Sequence, residues 1–211
     1  IKMRVFNADG SQPKMCGNGA RCVALFLSAK HRTKMAKLNI ETKAGIIEAE
    51  VNCDNVKIKL TEPKNLKLDI PLKINNRTLH VNFIDTGVPH TVIFVEGLDK
   101  IDVLKLGRQI RYHRRFLPRG TNVNFVQVLS NKSITIRTYE RGVEDETLAC
   151  GTGSVASALI FSLKAKAGNK INVHTRSGEI LRVYFDKIKN EFHNVYLEGK
   201  ANIVCQGEYY V

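Results

Sequence analysis

Two cysteines of this chain stand in the same short motif, and that motif is suited to chemistry. Cys16 and Cys150 are each followed by Gly-x-Gly and then by an apolar run at helical spacing. A cysteine at the start of a helix lies beside free backbone N–H groups at the positive end of the helix dipole. That position lowers the pKa of a thiol and makes the thiolate form accessible.

A matched pair of thiols suits a reaction in which a proton leaves one face of a carbon atom and returns on the other. One thiolate removes the proton and the second thiol supplies one, with the roles exchanged in the reverse direction. The carbanion that forms beside a carboxylate needs hydrogen-bond donors, which two helix N-termini provide without a metal ion. Asn18 and Thr152 lie between the glycines of the two motifs and add side-chain donors.

A buried, inert cysteine is the ordinary alternative for one Cys-Gly-x-Gly segment, whereas two matched segments favour the catalytic interpretation. Cys22, Cys53 and Cys205 have no such context and are predicted to be inert. Five cysteines at irregular spacing fit a reducing compartment better than a disulfide framework. No cysteine or histidine spacing in the sequence predicts a metal site.

Both motifs belong to an internal repeat, in which each copy reads as strand, turn, cysteine helix, strand, tight turn and two further strands. The first copy begins with a strand at Met3–Phe6 and has its helix at Ala20–Lys30, and the helix of the second copy covers Val155–Lys166. Both helices are apolar on nearly every side, so each is predicted to lie inside a curved sheet. A third, amphipathic helix is predicted over Asp102–Tyr112.

The composition is that of a globular protein, with 43% hydrophobic and 25% charged residues, and the unusual bulk property is a net charge of +13. No apolar run approaches the roughly 20 residues that cross a bilayer, so a membrane-spanning protein is not expected. Basic clusters at Lys30–Lys37 and Lys105–Arg119 leave a nucleic-acid-binding module open as an alternative. Aromatic residues do not interleave with these clusters, which favours an ordinary lysine-rich surface.

The segments FNADGS, MCGNGAR, TGVPH, GTNVNFV, YERG and ETLACGTG together resemble the diaminopimelate epimerase family, and the resemblance covers Arg4 to Tyr209. It implies a cytoplasmic isomerase that interconverts LL- and meso-diaminopimelate for lysine and peptidoglycan precursor biosynthesis. It also implies catalysis without pyridoxal phosphate, metal or any other cofactor. The expected partner is the small-molecule substrate, with no nucleic acid and no membrane, and a homodimer is left open.

The same resemblance implies roles for individual residues. The implied catalytic residues are the acid/base thiols Cys16 and Cys150, His90 as a residue that tunes a thiol, and Glu140 near a catalytic thiol. The implied substrate-binding residues are Asn7, Gly17, Asn18, Asn122, Glu140, Arg141, Gly151 and Thr152. Two of these, Asn7 and Asn122, would hold the distal amino-acid end of the substrate, and Val88 stands where many members have asparagine.

The implied fold is α+β, with two pseudo-symmetric domains that each form a curved mixed β-sheet or barrel around a central buried helix. The site is expected in the cleft between them. The N-terminal half is expected to be residues 1–70 with 203–211, including a final strand at 207–211, and the C-terminal half residues 71–202. Comparison of the two copies predicts that roughly 55–65 residues of the first copy lie upstream of Ile1.

Three further alternatives are open. The first is a racemase or isomerase of another small amino or hydroxy acid, which Asn18 and the GTNVNF segment argue against. The second is an inactive, shortened form of the epimerase. The third is a thiol redox sensor in which Cys16 and Cys150 form a disulfide, although such a bond is more simply a liability of a two-thiol site.

Overall fold

The computed structural model describes residues 1–6, 10, 12, 15–75 and 77–208 of the chain. Contacts divide the chain into two compact units. Unit 1 consists of Ile1–Lys59 and Glu198–Val211, and unit 2 consists of Leu60–Leu197. The second unit therefore begins at Leu60, whereas the C-terminal half was expected to begin at residue 71.

The described part of unit 1 contains one helix and an antiparallel meander of strands. These are α1 (Gly17–Lys30), β1 (Met35–Thr42), β2 (Gly45–Asn52) and β3 (Asn55–Lys59). The register pairs Thr42 with Gly45 and Asn52 with Asn55, so both connections are tight turns. Towards its end, β2 buries every second residue, as a strand with one covered face does.

Helix α1 packs on the meander with one side only. It contacts all three strands, and its small residues Ala20 and Ala24 are fully buried. Its other side is open, because Cys22 is exposed and the Phe26 side chain is 60% exposed. Within the described residues, α1 is therefore covered rather than enclosed, since three strands reach only one face of a helix.

The predicted strand at Met3–Phe6 is reduced to a single bridge. Lys2 pairs with Glu41 in the parallel sense, and the Met3 N–H donates to the Glu41 carbonyl at 2.8 Å. The bridge does not extend through residues 3–6, so the strand prediction is wrong there. Of the predicted final strand at 207–211, residues 207 and 208 are in no strand and residues 209–211 lie outside the described part of the chain.

Unit 2 is a mixed sheet associated with two α-helices in its described residues. Its elements are β4 (Lys64–Ile74), β5 (Arg77–Asp85), β6 (Pro89–Phe94), α2 (Val103–Arg111), β7 (Asn122–Ser130), β8 (Ser133–Glu140), β9 (Asp145–Thr147), α3 (Gly151–Lys164), β10 (Lys170–His174), β11 (Ile180–Ile188) and β12 (Glu191–Lys200, whose last residues belong to unit 1). The strand order is β12-β11-β10-β8-β7-β6-β5-β4, with β9 paired to β8. The β6–β7 and β8–β10 pairs are parallel, and neighbouring pairs such as β7–β8 and β10–β11 are antiparallel.

Helix α3 lies inside this sheet. Every residue from Gly153 to Ser162 is buried, and the helix contacts β5, β6, β7, β8, β10 and β11. The hydroxyls of Ser154 and Ser162 donate to the backbone carbonyls of Cys150 and Leu159, which satisfies two polar atoms of the buried stretch. The predicted helix enclosed by a curved sheet is therefore confirmed in unit 2.

The predicted amphipathic helix is confirmed as α2. Asp102 caps it by accepting from the Lys105 N–H at 3.0 Å, and Val103 and Ile110 are buried on the side that contacts β7 and β8. Strands β4 and β9 were not predicted from the sequence. The pairing of β4 shifts register twice between Lys64 and Ile70, and such shifts blur the alternation that marks a strand.

Candidate active site

Cys150 is the residue immediately before α3. Its backbone is extended, with φ −122° and ψ 110°, and its carbonyl accepts the first helical hydrogen bond from the Ser154 N–H at 2.9 Å. The residue is 6% exposed. A side chain at Gly153 would collide with the Asn124 amide oxygen and would lie 3.2 Å from the Cys150 sulfur, so the third residue after the cysteine must be glycine.

The same backbone geometry recurs in unit 1, where Cys16 immediately precedes α1. The backbone angles are φ −122° and ψ 110° at Cys150, and φ −133° and ψ 117° at Cys16. Cys16 is only half-buried, and its sulfur accepts from the Gly19 N–H at 3.4 Å. Both predicted thiols therefore stand at the N-terminus of a helix.

The surroundings of Cys150 favour the thiol over the thiolate. Burial raises the pKa of Cys150 to about 12, and the negative charge of Glu140 acts in the same direction. The Thr152 hydroxyl and the backbone N–H groups of Thr152 and Gly153 lower that pKa, but by less. The expectation that a helix N-terminus lowers the pKa is therefore wrong for Cys150 in the free protein, because burial outweighs it.

His90 reaches the Cys150 sulfur through one hydroxyl group. Its Nε2 lies 3.0 Å from the Thr152 Oγ1, which in turn lies 3.6 Å from the Cys150 Sγ. Its Nδ1 lies 3.1 Å from the Asn124 Nδ2. The imidazole is fully buried, and burial followed by the positive charge of Arg141 lowers the pKa of His90 to about 3. A neutral imidazole is thus held one hydroxyl away from the thiol.

Glu140 is the last residue of β8 and Arg141 follows it. Their charges act on Cys150 and His90, respectively. Burial raises the pKa of the Glu140 carboxyl. Burial, and then the charges of Arg119 and Arg111, lower the pKa of the Arg141 guanidinium. Its Nη1 donates to the Arg119 carbonyl at 3.1 Å, which leaves other N–H groups of the fork for a ligand.

Asn122 is buried, and its amide is engaged on both sides. Its Nδ2 donates to the Pro89 carbonyl at 3.0 Å and its Oδ1 accepts from the Arg141 N–H at 2.8 Å. One N–H and one lone pair of the amide are left for a substrate. The side chain therefore fixes the positions of the Pro89 and Arg141 backbones, whatever else it binds.

The remaining predicted residues of unit 1 are partly described. Gly17 is the first residue of α1, and the exposed Asn18 accepts from the Arg21 Nη2 at 3.0 Å through its side-chain oxygen. Asn7 lies outside the described residues. The structure thus brings together Cys150, Thr152, His90, Asn122, Glu140 and Arg141 within unit 2, with Gly151 as the first residue of α3, and it places Cys16, Gly17 and Asn18 together in unit 1.

Asn124 is the residue of this site that the sequence interpretation missed. It is fully buried on β7, two residues after Asn122. The alternation Asn-Val-Asn places both side chains on the same face of a strand, so the spacing carried a signal that could have found it.

The described part of the chain has neither a membrane-spanning helix nor a metal-binding cluster. No helix there is both long and apolar enough to cross a bilayer. The described histidine, cysteine, aspartate and glutamate side chains form no group of three or more that could hold a metal ion. All five cysteines are free thiols.

Comparison with known families gives one consistent result. The sequence profile described as diaminopimelate epimerase matches residues 1–66 and 82–204. A protein named diaminopimelate epimerase from Aquifex aeolicus (strain VF5) is 47% identical over 211 residues, covering 98% of this chain and 74% of that protein. Another of that name from Hydrogenobaculum sp. (strain Y04AAS1) is 47% identical over 206 residues, covering 96% of this chain and 72% of that protein.

Solved structures share the fold at much lower sequence identity. A probable proline racemase from Agrobacterium radiobacter K84 superposes with a TM-score of 0.71 at 14% identity, covering 94% of this chain and 68% of that one. A Bacillus anthracis phenazine biosynthesis protein of the PhzF family gives a TM-score of 0.69 at 17% identity, covering 94% and 77%. These likenesses concern the fold alone, and they confirm the predicted α+β class.

Proposed function

The chain belongs to the diaminopimelate epimerase family, and we propose that it interconverts LL- and meso-diaminopimelate with Cys16 and Cys150 as the two acid/base groups. The observation that supports this proposal most strongly is the matched placement of the two thiols. Each directly precedes a helix, with nearly the same backbone angles. A one-base enzyme would have no use for a second thiol in that position.

The raised pKa of Cys150 indicates which thiol is the acid. In the direction that begins from the resting protein, Cys150 is the acid, because its raised pKa keeps it protonated at neutral pH. Cys16 is then the base that takes the proton from the α-carbon. The C–H bond breaks, an S–H bond forms, and the electron pair stays on the carbon and spreads into the adjoining carboxylate. Cys150 returns a proton to the opposite face.

The thiolate that Cys150 becomes is stabilised where it forms. The Thr152 hydroxyl and the backbone N–H groups of Thr152 and Gly153 favour the charged form of this sulfur. The same first turn of α3 offers N–H groups to the negative charge that develops on the substrate carboxylate. No metal ion or organic cofactor is needed for either task, and we propose that the enzyme uses none.

The remaining polar groups suit a substrate with charges at both ends. We propose that Gly17, Gly151 and the first turns of their helices bind the reacting carboxylate, and that Asn7, Asn18, Asn122, Glu140 and Arg141 bind the other polar groups. We also propose a cytoplasmic location, since five free thiols suit a reducing compartment. The product would serve lysine and peptidoglycan precursor biosynthesis.

Deuterium exchange tests this function directly. The protein is incubated in D₂O with a thiol reductant and LL-diaminopimelate, and NMR follows the loss of the α-proton signal and the appearance of the meso isomer. L-Lysine, which lacks the distal carboxylate, and L-proline serve as matched comparison substrates. We expect uptake and epimerisation with diaminopimelate only.

Each other result has a definite meaning. Exchange with L-lysine at a similar rate would contradict recognition of the distal end. Exchange with L-proline alone would favour a different racemase on the same fold. No exchange with any of the three would contradict the epimerase function of this chain.

A further inference from the structure

The hydrogen bonds around Asn124 lead from the sheet of unit 2 to the Cys150 sulfur. The Asn124 Nδ2 lies 3.0 Å from the Thr91 carbonyl and 3.1 Å from the His90 Nδ1. The Asn124 Oδ1 accepts from the Thr138 hydroxyl at 3.0 Å. All these groups are buried, so water does not compete for the bonds.

A backbone carbonyl fixes which way the Asn124 amide faces. The Thr91 carbonyl can only accept, so the amide NH₂ group must point toward it. That group carries two protons, and the second points at the His90 Nδ1. A flipped amide would place two oxygen atoms against each other at Thr91.

The amide orientation in turn fixes the proton on the imidazole. Because the His90 Nδ1 faces an N–H donor, it must be the bare, accepting nitrogen, and the proton of the neutral ring must be on Nε2. The Nε2–H then donates to the Thr152 oxygen at 3.0 Å. With its oxygen already accepting, the Thr152 hydroxyl is free to donate its own proton to the Cys150 sulfur at 3.6 Å.

We infer that Asn124 is a positioning residue for the epimerisation: it holds His90 in the Nε2–H tautomer, and so keeps the Thr152 hydroxyl as a donor to the Cys150 sulfur. The inference rests on the proposed function of Cys150. A donor stabilises the thiolate form, which is the form Cys150 takes after it has given its proton to the substrate. The reversed tautomer would turn the Thr152 hydroxyl toward His90 and remove that donor.

Asn124→Asp is the sharpest substitution because it replaces the NH₂ group by oxygen and so reverses the donor and acceptor roles of His90 and Thr152. Because the Thr91 carbonyl can only accept, the carboxyl oxygen in place of Nδ2 is protonated toward it and accepts from the His90 Nδ1–H through a lone pair. The ring proton then moves to Nδ1, and Nε2 accepts from the Thr152 hydroxyl. Thr138→Val is the matched control, because it removes the other partner of the same amide and leaves the NH₂ group facing His90.

The first readout does not depend on activity. Long-range ¹H–¹⁵N NMR of histidine-labelled protein distinguishes the two tautomers, and the His90 signals are assigned by their absence in His90→Gln. We expect Nε2–H in the wild type and in Thr138→Val, and Nδ1–H in Asn124→Asp. A wild-type ring protonated on Nδ1 would overturn the inference, even where the aspartate variant does not fold.

The second readout is a double-mutant cycle on kcat. Thr152→Val should lower kcat of the wild type by roughly 10- to 100-fold, the effect of one hydrogen bond to a charged group. In the Asn124→Asp background the same change should cost little, whereas in the Thr138→Val background it should cost as much as in the wild type. Additive effects of Asn124→Asp and Thr152→Val would overturn the inference.

The two readouts separate the inference from the proposed function. A wild-type chain that does not epimerise, with the His90 proton on Nε2, would contradict the proposed epimerase function. It would still support the inferred hydrogen bonds of Asn124, His90 and Thr152 as a structural feature. An active chain with the His90 proton on Nδ1 would support the function and overturn the role of Asn124.

Discussion

The two Cys-Gly-x-Gly segments have the same backbone and different surroundings. Cys16 and Cys150 differ by only a few degrees in φ and ψ, and each precedes a helix of 14 residues. Cys16 is half-buried on a helix with one open side, whereas Cys150 is buried at the start of a helix that the sheet encloses. The short motif thus determines local geometry, and at Cys150 the packing around the motif raises the pKa of the thiol.

This difference corresponds to different roles of the two thiols in the proposed reaction. In unit 2 a buried imidazole, a hydroxyl and a half-buried carboxyl surround the sulfur. In unit 1 the sulfur has one backbone N–H as its described partner. A reaction that needs one acid and one base uses such asymmetry, because two identical thiols would start in the same protonation state.

Removal of either thiol is the strongest test of the comparison. Cys16→Ser and Cys150→Ser should each lower kcat for epimerisation by about 10²- to 10⁴-fold, since each removes one acid/base group. Each variant should still eliminate a leaving group from a β-halogenated substrate analogue, because elimination needs only one base. Epimerisation is measured by NMR and elimination by halide release.

Cys22→Ser is the matched control, because this exposed cysteine lies on the same helix as the motif of unit 1. It should epimerise at the wild-type rate. Full turnover in either Cys16→Ser or Cys150→Ser would rule out the two-thiol mechanism.

The burial of the two helices can be compared with one residue type. Phe161 on α3 is 1% exposed and Phe26 on α1 is 60% exposed. Phe161→Ala should lower the free energy of unfolding by about 3–5 kcal/mol, since it opens a cavity in a closed core. Phe26→Ala should change it by about 0.5 kcal/mol or less. Urea denaturation measures both, and equal effects would contradict the different burial of the helices.

Acid stability tests the buried imidazole, which has no described counterpart beside Cys16. The unfolded chain protonates His90 near the ordinary pKa of 6.5, whereas the folded protein holds this pKa at about 3. The unfolded state therefore binds more protons between these pH values. Stability should fall as the pH drops through this window, by about 1.4 kcal/mol per pH unit from this one group.

His90→Gln should make that decline shallower, which denaturation at several pH values measures. Thr121→Val is a suitable control, because it alters a buried neutral side chain near the same strands. It should shift the whole stability curve without changing its slope. Identical slopes in the wild type and His90→Gln would contradict the neutral, buried state of His90.

The sequence predicted the elements whose pattern is local. Helices α1, α2 and α3 follow from apolar spacing and caps such as Asp102, and most strands follow from runs of β-branched residues. Strand β4 was missed because its register shifts interrupt the alternation. The extent to which α1 is covered depends on partners distant in sequence, which periodicity does not report.

Like the fold, the site could be predicted only where its residues lie in local sequence patterns. Sequence motifs contain the two cysteines, His90, Glu140 and Arg141, so these residues could be identified as candidates from the sequence. The raised pKa of Cys150 could not be predicted, because it arises from burial by strands that are far away in the chain. Asn124 lacked a chemical reason for selection until its contacts with Thr91 and His90 were known.

The smallest expected effect concerns the carboxyl that faces Cys150 and has no described equivalent at Cys16. Glu140→Gln removes a negative charge that raises the pKa of Cys150, so that pKa should fall. It should stay above the ordinary range, because burial is the larger cause and is unchanged. The thiolate absorbance is titrated in Glu140→Gln and in Glu140→Gln/Cys150→Ser, and the difference gives the pKa of Cys150.

Glu144→Gln is the control for this last comparison, since Glu144 carries the same charge nearby and is paired with Arg111 at 3.0 Å. It should leave the pKa of Cys150 where it is. If both substitutions lower that pKa equally, the effect is one of net charge, and Glu140 has no special place beside the thiol. A fall confined to Glu140→Gln would mean that burial and one carboxylate together hold Cys150 as the acid.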